Sequence, residues 1–369
     1  MQLANIFYVL FALLILWGIK LQKLGQWNDE VMSLDHTKAF LGFCSIGIIL
    51  HHCAEKTCAP WMPPLMIRPG LEAFVWAGYL FVASFFFCSG YGMYKSTRKE
   101  GAFRKYFRRR IVPMLFPTVF TWIIFVVLRY IRKMPFEGDP LQWHPHIWFV
   151  PVLMILYIAF FVAFGLIKNE KVSFAVMTLV TLALAALFLH KELGTWWCNT
   201  HHLFLVGIIM AKYEKQILKV LKKGYVIFLI LTAGVTVVGF AVGNYWYEVC
   251  EKFGFVYDYD KSWALRYFAQ VISAFTFAWF VLLLGMKLRI GNPALRFLGK
   301  MTLATYMLQA VFVFVFAYAF IDDKVKAFHY IKNVSLYTAV VLAASIAAAY
   351  LFHIATKPIV ARIKGVDRK

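Results

Sequence analysis

Stretches of about twenty predominantly apolar residues recur along this chain from one end to the other, and that recurrence points to a bundle of membrane-spanning helices. In the hydrocarbon core every backbone N–H and C=O must find a partner within its own segment, so an apolar run of this length crosses as an α-helix. Candidate spans fall at roughly 4–22, 37–54, 72–94, 110–131, 147–167, 171–189, 197–212, 224–246, 263–286, 296–320 and 335–356, about eleven in all. The seventh is short, and Trp196 and Trp197 blur its start. Composition argues against a soluble fold, since 62% of the 369 residues are hydrophobic, only 15% are charged and the mean hydropathy is +0.69. A soluble chain, with about a quarter of its residues charged, could not hide so much apolar surface. The expected fold class is all-α, a polytopic integral membrane bundle in three parts. Residues 1–32 form an extra N-terminal transmembrane helix and a cytoplasmic loop, residues 33–356 the main transmembrane domain, and residues 357–369 a basic cytoplasmic tail.

The formal net charge of +21, from 39 Lys+Arg against 18 Asp+Glu, would suggest nucleic acid as the partner of a soluble protein. Here the charges fall in loops, which is the positive-inside pattern of a membrane protein, so no nucleic acid is expected. After the third span come Lys95, Arg98, Lys99, Arg104, Lys105, Arg108, Arg109 and Arg110 against Glu100. Lys212, Lys215, Lys219, Lys222 and Lys223 follow the seventh span, and Lys287, Arg289, Arg296 and Lys300 the ninth. Lys357, Arg362, Lys364, Arg368 and Lys369 follow the last span. With eleven spans all four clusters share one side, and the acidic loop of Glu248, Glu251, Asp258 and Asp260 lies on the other. The N-terminus is then expected outside and the C-terminus in the cytoplasm. The first span has no basic residues before it and no small-residue cleavage site after it, so it reads as a retained helix.

Ionisable side chains inside spans are costly and mark functional positions. The second span, TKAFLGFCSIGIILHHC, carries Lys38 at one end and His51 and His52 at the other. At 100° per residue His52 lies about 40° from Lys38 around the helix, with a rise of about 21 Å between them, whereas His51 is about 140° away. Imidazole suits acid–base work near neutral pH, although a His pair packed near the interface explains the dipeptide as well. Further polar candidates are Glu72, Ser89, Tyr91, Arg129, Asn199, His201, His202 and His353. In QWHPHIWF, the rings of Trp143 and Trp148 suit the aromatic belt, and nothing near His144 and His146 in sequence completes a metal site, so no metal is expected. The arginine run 104–110 reads either as a topology signal or as an anion site for a phosphate-bearing ligand. There is no Gly-rich phosphate loop, no G-x-S-x-G elbow and no H-E-x-x-H segment. Among the cysteines, Cys44, Cys88, Cys198 and Cys250 read as packing residues. Cys53 and Cys58 flank a short loop, and their spacing leaves a disulfide open.

The order of these features resembles the acyltransferase family 3 membrane proteins. Four blocks carry the likeness: TKAFLGFCSIGIILHH, ASFFFCSGYGMY with Ser89, Gly90 and Tyr91, FRRRIVPMLFP, and LGKMTLATYMLQ. HIWFVPVLMILY, with Trp148, and NTHHLFLVGIIMAKYEKQI add to it, and the similarity runs from about residue 33 to 356. Three positions depart from the family pattern. Leu41 and Pro113 stand where it has basic residues, and Gln309 where parts of it have His.

The resemblance implies a membrane-embedded O-acyltransferase of a bacterial plasma (inner) membrane that modifies polysaccharides or related acceptors. It would move an acyl group, most simply acetyl, from cytoplasmic acyl-CoA (acetyl-CoA) to a hydroxyl of an extracytoplasmic glycan or lipid-linked acceptor. The acyl-CoA is a donor substrate, and no tightly bound cofactor is expected. In this reading His52 is the catalytic base, with His51 and Glu72 as auxiliaries. Lys38, Arg108, Arg109 and Arg110 hold the donor, and membrane lipid surrounds the bundle. The rival reading is a transporter or flippase-like protein for a polysaccharide or lipid intermediate, although the two halves of the chain show no inverted repeat.

Overall fold

The computed structural model describes residues 3–98, 101–317, 319–321, 324–326 and 329–365; at 3, 259–261, 319–321 and 324–326 it describes the backbone alone. Lys99, Glu100, Arg368 and Lys369, counted above among the loop charges, lie outside the described residues, as does the side chain of Asp260. Fourteen α-helices make up nearly all the regular structure of the described residues. They are α1 (Ile6–Leu16), α2 (Leu34–Glu55), α3 (Gly78–Thr97), α4 (Tyr106–Arg110), α5 (Val112–Arg132), α6 (Phe149–Phe161) and α7 (Glu170–His190). There follow α8 (Leu203–Lys212), α9 (Glu214–Lys223), α10 (Tyr225–Phe253), α11 (Tyr259–Lys287), α12 (Pro293–Leu298), α13 (Thr302–Phe316) and α14 (Val334–Lys364). Two antiparallel pairs are the strands described: β1 (Lys20–Leu21) with β2 (Leu288–Arg289), and β3 (Ala319–Ile321) with β4 (Lys324–Lys326).

Each apolar window read from the sequence holds a helix, but the helices are unequal. Seven are long and apolar enough to cross a membrane: α2, α5, α6 with its extension to Leu166, α7, α10, the 262–287 stretch of α11, and α14. The apolar helices α1, α8 and α13 have only 11, 10 and 15 residues. At 1.5 Å per residue they fall well short of a core about 30 Å thick. α3 has 20 residues, but its Ser-Gly-Tyr-Gly-Met-Tyr-Lys stretch keeps it out of the seven. Seven spans, not about eleven, therefore meet the requirement of length and hydropathy.

α2 is the axis of the bundle. Ser33 caps it, its hydroxyl accepting from the His36 N–H at 3.3 Å, and Asp35 adds a negative charge to the first turn. From Ala39 to Ala54 nearly every residue is buried, against α3, α12, α13 and α14. α10 and α11 form an adjacent hairpin, and α3 lies along α8. Large side chains such as Leu179, Ile227 and Val237 point outward, as a lipid-facing surface requires. Two departures from the family pattern acquire a local meaning. Pro113 sits in the first turn of α5, where no backbone N–H is needed, and the carbonyl of Leu41 accepts from the Ser45 hydroxyl at 2.9 Å. All six cysteines are free thiols, Cys53 and Cys58 among them. Cys53 is buried on α2, and Cys58 Sγ donates to the carbonyl of Ala54 at 3.5 Å.

Candidate active site

The last turn of α2 places two imidazoles and a carboxylate side by side. His52 is 6% exposed, and its Nδ1 lies 2.6 Å from the Gln309 carboxamide on α13. Its ring stacks on that of His146, with centroids 3.6 Å apart and planes 20° from parallel. The loop bearing His146 is held in turn, because Tyr306 donates its hydroxyl proton to the His146 carbonyl at 3.0 Å. His51 turns the other way: Nδ1 meets the Phe74 carbonyl at 2.9 Å, and Nε2 faces Glu55 Oε1 at 3.7 Å. The helical angle predicted that the two histidines would serve different faces. Both nevertheless line one cavity, because α2 ends here and the cavity wraps around its last turn. His51, His52 and Glu55 also bring nitrogen and oxygen atoms within 4.8 Å of one another.

The cavity has a volume of about 540 Å³ and walls of two kinds. Trp61, Trp76, Trp148 and Trp196 supply flat apolar faces, and Trp148 leans on Trp197 with ring centroids 6.1 Å apart. Opposite α2 lies a chain of amides. Asn199 Nδ2 donates to Gln270 Oε1 at 3.1 Å, and Gln270 Nε2 donates to the Gly243 carbonyl at 3.0 Å and to Asn244 Oδ1 at 3.2 Å. That carbonyl is within reach because α10 breaks at Tyr245, whose φ of −121° and ψ of 26° are not helical. Asn199 Oδ1 is buried with no hydrogen-bond partner at the edge of this space. Arg266, donating through Nε to the same Gly243 carbonyl at 3.4 Å, and Glu55 are the two residues of fixed charge in the lining. Apolar aromatic faces with a few placed polar groups are the usual lining of a small-molecule site.

Other candidates lie elsewhere. Glu72 does not reach the cavity; it is exposed in a single turn at Glu72–Phe74, and its carboxylate accepts from the Gly70 N–H at 2.7 Å. Ser89, Gly90 and Tyr91 lie toward the other end of α3. There Gly90 packs backbone to backbone on Phe204, Ser89 meets Tyr157, and Tyr91 meets Glu214. Lys38 is exposed, and its carbonyl presses on Gly299 so closely that a Cβ there would sit 2.2 Å away. The arginines divide. Arg108 donates to the Arg362 carbonyl at 2.9 Å and Arg109 to the Lys364 carbonyl at 3.4 Å, both at the C-terminal turn of α14. Arg110 donates to Ser96 Oγ at 2.6 Å, and with Lys38 it acts electrostatically on Lys364. Lys38, Arg110 and Lys364 thus form a cluster of like charge at the opposite end of α2 from His52.

Sequence reasoning did not assign Glu55, His146 or Gln309 to this site. Glu55 was legible as the i,i+4 partner of His51. His146 and Gln309 carried no such signal, since they are 94 and 257 positions from His52. Of the further polar candidates Asn199 joins the cavity wall, while His201 turns away to the Thr181 carbonyl at 2.9 Å. No curated protein and no solved structure matches the chain. Residues 38–354 match a family model described as an acyltransferase domain, and the protein accordingly belongs to the acyltransferase-3 family.

Proposed function

We propose that this protein is an O-acyltransferase that takes an acyl group, most simply acetyl, from acyl-CoA on the cytoplasmic side. The group passes to a hydroxyl of a glycan or lipid-linked acceptor on the far side. One observation carries the reading: a single unbroken helix, α2, has a cationic cluster at one end and an imidazole in a cavity at the other. Lys38 and His52 are separated along it by about 21 Å, close to the length of an extended coenzyme A arm. In this reading α1, α3, α8 and α13 complete the transmembrane bundle beside the seven longer helices. The N-terminus faces out and the basic tail in, as the loop charges suggest.

The chemistry needs one base and one leaving group. The acceptor O–H gives its proton to the His52 nitrogen that Gln309 does not hold. The oxygen then attacks the thioester carbonyl carbon, forming the ester C–O bond as the C–S bond breaks. The departing thiolate takes the proton back from the imidazolium, so atoms and charge balance. Lys38 and Arg110 hold the donor phosphates, while Arg108 and Arg109 spend a donor each on the carbonyls of α14. Trp148 and the amide wall orient the acceptor.

The test incubates purified protein in nanodiscs with radiolabelled acetyl-CoA and candidate glycans. Label is expected in the glycan, lost in His52→Ala by about 10²-fold or more and largely kept in His51→Ala. Glycan crossing a liposome membrane without acylation would replace this reading with the transporter.

A further inference from the structure

Neutral imidazole carries one N–H and one lone pair, so whichever group holds Nδ1 decides what Nε2 can do. On α13, Gln309 is fully buried, and its carboxamide lies 2.6 Å from His52 Nδ1. One face of the imidazole is covered by His146, so the ring has little room to turn. Tyr306, one turn before Gln309 on the same helix, fixes the loop that carries His146. α13 therefore holds both rings of the stack.

The carboxamide can serve Nδ1 in two ways. With its N–H facing Nδ1, the imidazole proton sits on Nε2, and that nitrogen cannot accept another. With its oxygen facing Nδ1–H, the Nε2 lone pair is free. Only the second arrangement also suits the imidazolium that forms after proton transfer, because Nδ1 keeps its N–H in both states. Oxygen and nitrogen of a carboxamide occupy nearly the same space, so turning the group over leaves the packing as it is. Gln309 Oε1 is buried and has no partner when Nε2 faces the ring, so nothing else ties the oxygen down.

We infer that Gln309 is the positioning residue of His52, accepting its Nδ1–H through Oε1 and so leaving the Nε2 lone pair toward the cavity. The inference rests on the reading of His52 as the base, and it makes a distinct claim about that residue's proton. Gln309 touches no reacting atom; its contribution is the tautomer and the angle of the ring.

The experiment pairs two variants with a spectroscopic readout in the intact protein. Gln309→Leu fills the space without an acceptor, and Gln309→Glu supplies an acceptor that cannot donate once ionised. Gln309→Leu should lower kcat by about 10–10²-fold, part of the 10²–10⁴ that a positioned base supplies, with KM for acetyl-CoA and glycan unchanged within about twofold. Gln309→Glu should keep most of kcat. Spectra of ¹⁵N-histidine-labelled protein, with the His52 signals assigned by their loss in His52→Ala, should show Nδ1 protonated in wild type and Gln309→Glu. In Gln309→Leu that bias should be lost. Unchanged kcat in Gln309→Leu, loss of kcat in Gln309→Glu, or a wild-type proton on Nε2 overturns the inference while leaving the transferase reading in place. A wild-type protein that shows the Nδ1 proton but transfers no acyl group overturns the transferase reading and leaves the assignment of Gln309 standing.

Discussion

Replacing Gly90 by alanine should destabilise the bundle, although alanine is the better helix former. A Cβ at Gly90 would lie 1.9 Å from the Phe204 carbonyl oxygen of α8, with the carbonyl carbon at 2.8 Å. Ordinary contact begins near 3.4 Å, so the backbones must part by about 1.5 Å to accommodate one methyl group. They cannot do so by local adjustment, because the approach is reciprocal: a Cβ at Gly207 would meet the Phe87 carbonyl oxygen at 2.1 Å. In lipid there is no hydrophobic drive to push the helices back together, and their association depends on close packing. A gap of 0.5–1 Å already forfeits about a quarter to a half of the dispersion energy across the interface. Overpacking of this kind costs about 1–3 kcal/mol or more, against about 1 kcal/mol gained from helix propensity. Gly92, two residues on in the same helix, has nothing within 4 Å of its absent Cβ, so Gly92→Ala should be neutral or slightly stabilising. Equilibrium unfolding in mixed micelles compares the two. Gly90→Ala as stable as wild type, or the two variants equally weakened, would refute the packing argument. Lost acyl transfer with stability intact would give Gly90 a chemical role instead.

Two further expectations concern the opposite end of α2 and the cysteines. Arg110→Ala should weaken coenzyme A binding by about tenfold or more, as losing a charge-assisted contact implies, when measured by calorimetry in nanodiscs. Arg108→Ala should leave that affinity nearly unchanged and instead cost about 0.3–1 kcal/mol of stability at low salt, since its guanidinium caps α14. Equal weakening of coenzyme A binding by both variants would show that the arginines act as one anion site. Alkylation of unfolded, unreduced protein should modify both Cys53 and Cys58, and a mass short by two hydrogens would reveal a bridge.

What was legible in the sequence was whatever a single helix encodes. The separation of Lys38 and His52 within one apolar run placed them at opposite ends of α2, and the arginine run stood out by composition alone. Contacts between helices were not legible. His52 meets Gln309 and His146 only because α13 and the loop before α6 close over the last turn of α2. Glu72 drew attention because it opens an apolar segment, yet the chain turns there and its carboxylate closes on Gly70. Glu55, a turn beyond His51, was the better candidate and was readable from its spacing. Gly243 and Asn244 interrupt an apolar helix, and that interruption was a sign of the break at Tyr245 that shapes the cavity wall. The arginines looked equivalent in sequence, and only the C-terminal turn of α14 separates Arg108 and Arg109 from Arg110.

The two ends of α2 must communicate if acyl transfer is to join them, and the packing beside that helix suggests where. Its residues Ala39, Ile49 and Leu50 are almost wholly buried in the bundle core. On the side facing α3 two cavities interrupt the packing. A second, small cavity lies between α2, α3 and α11, lined by Phe40, Ser84, Cys88 and Val281, near the end that carries Lys38. The larger cavity reaches the same seam from the other end through Ile48 and Val82. Between them Cys44 lies against Ser84 and Cys88, small side chains whose displacement opens space without breaking an ion pair. In the proposed reading the pantetheine arm follows this seam, the cationic cluster holding its phosphates and His52 meeting its thioester. Such a path keeps the charged phosphates of the donor at the surface, where their solvation costs least.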